Sequence, residues 1–123
     1  MFTLRFDMRA PATGAPAAEL YQAGLEMASE TEGRRSLAAI VCEHHGMDEG
    51  YLPLPLILAT AMAARTTTLP IVIAAVFLPL YRPIRLAEEM VVLDIVSRVR
   101  VSYMAATGPR STTCTRSTST VAR

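Results

Sequence analysis

Residues 69–94 read LPIVIAAVFLPLYRPIRLAEEMVVLD, and the fold turns on how that stretch divides. The first nine residues, 69–77, are uncharged and rich in Ile and Val, the pattern of a strand buried on both faces. Pro79 and Pro83 end the run, and Pro83 suits the first turn of a helix. Over residues 83–97, Leu86, Met90 and Leu93 fall on one side, while Arg85 and Glu89 stand four apart as an ion pair would. A buried strand leading into an amphipathic helix is half of a βαβ unit.

Working outward, the same alternation recurs. Residues 37–42 (LAAIVC) are an uncharged run of strand length, and residues 43–53 (EHHGMDEGYLP) form a charged loop. A helix is predicted from residue 54 or 55 to residue 65. Upstream, Phe2, Leu4 and Phe6 alternate with Thr3, Arg5 and Asp7 as in a strand, and residues 10–16 (APATGAP) are turn-rich. A helix over residues 17–32 places Leu20, Ala23, Gly24, Met27 and Ala28 on one face, with Gly33 as its cap. Downstream, residues 100–106 (RVSYMAA) close the series as a strand. The order is β-α-β-α-β-α-β. Uncharged inner strands imply a parallel sheet covered by helices. Two architectures fit, the first half of a (β/α)8 TIM barrel and a small doubly wound sheet. Length alone favours the second, because a complete barrel takes about 250 residues.

Composition removes several functions. The chain has 123 residues, enough for one domain, and a net charge of +1, which disfavours a strongly basic nucleic-acid binder. Aromatic residues are 6% with no Trp, a poor platform for stacking bases. Cys42 and Cys114 match neither a metal site nor a disulfide framework. The opening MFTLRFDMR lacks the apolar core of a signal peptide. Residues 51–81 carry a single charge, Arg65, but the two charge-free pieces, 51–64 and 66–81, are shorter than the roughly 17 residues a membrane helix needs. A cytoplasmic protein without nucleic-acid or membrane partners is the expectation. Residues 1–106 read as the domain. Residues 107–123 hold nine Ser or Thr, three Arg and no carboxylate, a composition expected to be disordered. With 12 Arg and no Lys in the chain, an out-of-frame reading of a GC-rich gene is one account of this segment, and a flexible linker or phosphorylation target is the other.

Three features are similar to the bacterial luciferase-like family of flavin-dependent monooxygenases: the strand FTLRFDMR, the block CEHHGMDEGYLP, and the block IAAVFLPLYRPIRLAEEMVVLD. The likeness runs ungapped to about Ala106. It implies an eight-stranded TIM barrel of which this chain is the N-terminal half, and so reverses the preference from length. It further implies an oxidoreductase that uses reduced flavin and O₂ on a small organic substrate. FMN is the first cofactor and the deazaflavin F420 the second, with a flavin reductase as a possible supplier. Dimerisation, homomeric or heteromeric, is implied through the helices at 54–65 and 83–97. The other class is a non-catalytic fragment or interaction module without a cofactor. A half barrel would also leave its outer strands unpaired, so that two halves could close on each other.

In a β/α barrel, sites are built where strands end, and three such ends carry the candidates. Glu43-His44-His45 follows the second strand, Ala74-Ala75 ends the third, and Ala106-Thr107-Gly108 follows the fourth. Imidazole exchanges protons near neutral pH, which suits His44 to acid–base work. A structural hydrogen-bonding pair is the competing use of His44 and His45, and a metal site is a weaker one, since neighbours in extended chain point apart. The resemblance assigns His44 to the flavin site and catalysis, and Ala74, Ala75 and Ala106 to cofactor contact. It implies a cis peptide at Ala74-Ala75, where small side chains let the backbone approach a flat ring. Glu43 and His45 are then left to hold the loop or a subunit contact. Departures are Arg35, Ser36 and Leu37 in place of a Gly-Phe-Asp-like turn, Val99 in place of Gly, and Ala106 where bacterial luciferase has a reactive Cys. Thr107 and Pro109 stand where relatives carry flavin-phosphate contacts.

Overall fold

The computed structural model describes residues 1–34 and 36–108. Arg35, Pro109 and Cys114, with the rest of the Ser/Thr/Arg-rich segment past Gly108, lie outside the described residues. The elements are β1 (Phe2–Phe6), α1 (Ala17–Thr31), β2 (Ser36–Val41), α2 (Pro55–Arg65), β3 (Ile71–Phe77), a 3-10 turn (Leu78–Leu80), α3 (Pro83–Ser97) and β4 (Val101–Ala106). All strand pairs are parallel, and the spatial order β1-β2-β3-β4 is the chain order. A doubly wound sheet would reverse its strand order at a switch point. Here every crossover advances the same way, and right-handed crossovers then put all three helices on one face. The β-α alternation is as expected; the doubly wound alternative is not.

The helix-covered face is the core. Phe6, Ala39, Val41, Ile71, Ile73 and Val76 pack against Ala28 of α1, Ala59 and Met62 of α2, and Leu86 and Leu93 of α3. The other face carries Ala38, Ile40, Val72 and Ala74, half-buried, and Ser102 and Met104, exposed. Fully burying an Ile or Leu contributes about 1.5–3 kcal/mol, so the helix side supplies the stability.

Several local expectations are corrected. On α1, Gly24 and Ala28 are buried, but Ala23 and Met27 face solvent, and Tyr21 and Leu25 take their place beside the core. The cause is Gly24: a Cβ there would lie 3.3 Å from the Met8 side chain, so the helix rests on its glycine and rolls toward Tyr21. The helix stops at Thr31, Glu32 is the capping residue, and Gly33 takes the left-handed φ of +81° just after it. β3 starts at Ile71 because Pro70 has no N–H to give a ladder, although its carbonyl accepts from Ala39 N–H at 2.9 Å. β2 gains Ser36 and loses Cys42, and β4 begins one residue later than expected, at Val101.

Two polar clamps tie the end of the sheet where the strands begin. Glu32 Oε1 accepts from the backbone N–H of Thr67 at 2.7 Å, of Leu69 at 3.0 Å and of Thr68, and from Thr68 Oγ1 at 3.0 Å. These donors, that of Thr68 foremost, hold its carboxyl at about 2, well below the usual range. Arg100 donates from Nε to Ser97 O, from Nη1 to Leu69 O and Thr66 Oγ1, and from Nη2 to Ala63 O and Thr66 O, at 2.6–3.1 Å. It satisfies carbonyls that the last turn of α2 leaves free. Between α3 and β4, Arg98 and Val99 take left-handed φ values of 54° and 61°. Val99 N–H reaches Asp94 O at 2.9 Å, which satisfies a last-turn carbonyl without the glycine such a turn prefers.

Candidate functional site

The strand register sets the candidate residues at one level. Val41 pairs with Ile73, so Cys42-Glu43-His44 runs beside Ala74-Ala75-Val76 past the ends of the paired segment. Ala106 pairs with Phe77 on the far side of β3. The β3–β4 register passes from Ala74–Met104 to Val76–Ala105, leaving Ala75 without a partner. The peptide between Ala74 and Ala75 is cis, as the resemblance implies. Ala74, Ala75 and Ala106 are half-buried.

His44 is half-buried, and its backbone N–H donates to Leu52 O at 2.9 Å, which folds the loop back over the rim. Its ring packs on Tyr51 with centroids 3.9 Å apart and meets the edge of Phe77 at 6.3 Å. Burial, then the Arg5 charge, push the imidazole below its ordinary value. The neutral form, with one acceptor nitrogen, is therefore favoured near neutral pH.

Glu43 and His45 do a different job. The Glu43 side chain is fully buried, and its Oε1 lies 2.7 Å from His45 Nε2. Its Oε2 accepts from Phe77 N–H at 2.8 Å, tying the end of β2 to the end of β3. The Tyr81 phenol stands by this carboxylate and is pushed above its ordinary value, by burial first and Glu43 second. The loop role expected for Glu43 and His45 is what the geometry has. Among the described residues no three His, Cys, Asp or Glu side chains form a metal-holding group.

Sequence reasoning missed the contribution of β1 to this rim. Arg5 Nε donates to Cys42 Sγ at 3.2 Å, and Arg9 pairs with Asp7 at 2.8 Å while lying 5.3 Å above the Tyr51 ring. The loop is pinned to the segment after β1 by Ala10 N–H to Glu49 O at 2.7 Å and Leu52 N–H to Asp7 O at 3.3 Å. The clue was available: Asp7 and Arg9 follow the first strand as Glu43 and His44 follow the second. A separate groove, lined by Leu56, Ile57, Thr60, Arg85, Glu89 and Val92, lies between α2 and α3, away from the rim.

Comparison with known proteins places these features. The family model of luciferase-like monooxygenases matches residues 5–117, into the Ser/Thr/Arg-rich segment. The chain belongs to the luciferase-like monooxygenase family. Among solved structures, the oxygenating constituent of 3,6-diketocamphane monooxygenase from Pseudomonas putida, a type II Baeyer-Villiger monooxygenase in complex with FMN, superposes with a TM-score of 0.78 at 21% identity. That match covers 88% of this chain and 30% of that one. Monooxygenase RslO1 from Streptomyces bottropensis gives 0.77 at 26% identity, covering 85% and 32%. Apo-MsnO8 gives 0.74 at 24%, covering 85% and 31%. The chain thus spans about a third of the length of these structures, and its fold is part of the luciferase-like TIM barrel. A search of curated proteins gave no match. Among the described residues no helix is long and apolar enough to cross a membrane.

Proposed function

We propose that the chain serves a cytoplasmic, flavin-dependent monooxygenase, with residues 1–106 as its barrel segment and His44 as its acid–base residue. The observation that carries this reading is the half-buried imidazole of His44, shifted toward its neutral form, level with the small residues Ala74 and Ala75. A neutral imidazole can take a proton from a bound substrate or cofactor atom and return it. Ala74, Ala75 and Ala106 would offer flat backbone to the isoalloxazine ring. The residues fit the ring better than the phosphate: at the end of β4 the described residues offer the exposed Thr107 and Gly108, with φ of +87°. Bound flavin would supply the redox chemistry toward O₂, while the protein orients the reactants and excludes water. FMN is favoured because the Pseudomonas putida neighbour holds it; F420 is the second choice. A flavin reductase, a small organic substrate and a dimer through α2 and α3 complete the proposal.

The test is an FMN titration by fluorescence quenching, with F420 as a parallel arm. Saturable binding weaker than the low-micromolar range is expected, since the described residues contribute one part of a concave pocket. Ala74→Leu should weaken it further. No saturable binding of either cofactor would leave the interaction-module reading. In turnover with reduced FMN, where the chain or a longer protein containing it supports activity, His44→Ala should cost about 10²–10⁴ in rate and His45→Ala much less.

A further inference from the structure

We propose that Tyr51 is the positioning residue of His44, holding the imidazole at the rim by ring contact, while Arg5 of β1 and Arg9 just after it fix the Tyr51 ring in turn. The inference rests on His44 as the acid–base residue of the proposed function and names the group that keeps it in place for that role. His44 and Tyr51 stand near the two feet of the loop between β2 and α2. Their ring centroids lie 3.9 Å apart, with the planes tilted by 33°. Rings at that distance are in contact, and an offset or tilted pair is attractive.

Tyr51 is held from several directions. The backbone on either side of it is bonded: Glu49 O accepts from Ala10 N–H at 2.7 Å, and Leu52 donates to Asp7 O at 3.3 Å while accepting from His44 N–H at 2.9 Å. The Arg9 guanidinium lies 5.3 Å from the ring centroid and is itself paired with Asp7 at 2.8 Å. A guanidinium over an aromatic face is attracted by the ring electrons. The charged form of Arg5 is favoured by Cys42 first and by Tyr51 as well, so Arg5 stands at the same side chain.

Burial is the largest influence on the His44 imidazole, and it favours the neutral ring. The charges around it divide. Arg5 of β1 and His45 of the loop oppose its protonation, while Asp7 after β1 and Glu43 of the loop favour it. The rings against the imidazole are Tyr51, at 3.9 Å, and the edge of Phe77, at 6.3 Å. Phe77 ends β3, where its N–H is tied to Glu43. Tyr51 sits on a loop, so its place depends on the ties to the β1 side.

The experiment reads His44 by nuclear magnetic resonance on the full chain and needs no flavin, so its failure is distinct from a failure of flavin binding. In the unmodified chain, cross-relaxation should connect the His44 and Tyr51 ring protons. Tyr51→Ala should raise the His44 titration midpoint by about half a pH unit, toward the ordinary 6.5. Tyr51→Phe, which keeps the ring, should leave most of the depression in place. His45 is the internal control: Glu43 holds it at 2.7 Å, so its ring signals at fixed pH should stay in both variants. A general loosening of the loop would move both histidines. Where Tyr51→Ala loses its circular dichroism, Tyr51→Phe and the cross-relaxation decide. Absent ring–ring cross-relaxation, an unmoved His44 midpoint in a folded Tyr51→Ala chain, His45 signals moving as far as those of His44, or a Tyr51→Phe chain that loses the depression would each overturn the proposal.

Discussion

The two ends of the sheet are built by different rules. Where the strands begin, Glu32 and Arg100 gather backbone groups from neighbouring elements into charge-assisted hydrogen bonds. Where the strands end, the described contacts are ring packing, the buried Glu43 carboxylate, the Arg9–Asp7 pair, the Arg5–Cys42 bond and a loop laid over His44. Side-chain charge ties backbone groups of several elements together at the first end, and the second carries the histidines and their ring contacts. In β/α barrels that division is general, because loops can vary at one end while the other anchors the strands.

The largest test of this contrast is Arg100→Ala. It leaves the carbonyls of Ala63, Thr66 and Leu69 without their donor and should cost about 3 kcal/mol in chemical denaturation. A loss below about 1 kcal/mol would show that water replaces the guanidinium and that this end is no anchor. Val99→Gly should act in the opposite direction, stabilising by about 1–2 kcal/mol, because a β-branched residue at a φ of 61° gives way to one without a Cβ. An unchanged melting temperature would place the turn's preference elsewhere.

Glu32 sharpens the comparison through pH. Its carboxyl is depressed in the folded chain, so its contribution is complete above about 4.5 and disappears as pH falls toward about 2. With solvent screening the loss is about 1 kcal/mol, and Glu32→Gln should flatten that part of the stability–pH curve. The smallest expected effect is at the other end. His44→Ala should cost about 0.5 kcal/mol, the worth of one ring contact, even where it removes function. A loss as large as that of Arg100→Ala would erase the distinction between the ends.

Much of this was legible in the residues. Helix α3, with Leu86, Met90 and Leu93 inward, follows from spacing and Pro83 alone, and the Arg85–Glu89 pair forms at 2.5 Å. The face of α1 was misjudged because periodicity weighs Gly24 as a gap, whereas in packing it is the point of closest approach. Candidate site residues could be placed at strand ends by pattern. The partners that hold them could not, because Asp7 and Leu52, or Arg5 and Cys42, are joined by register across dozens of residues rather than by local spacing.

Agreement of strand order with chain order has a consequence for biosynthesis. As the polypeptide leaves the ribosome, each strand after the first finds its neighbour already made, so no strand must wait for a later partner. The ties through Glu32 and Arg100 each reach back or ahead by one strand–helix step, 31 to 37 residues. Assembly can therefore advance one step at a time, each addition locking the one before it at the growing edge.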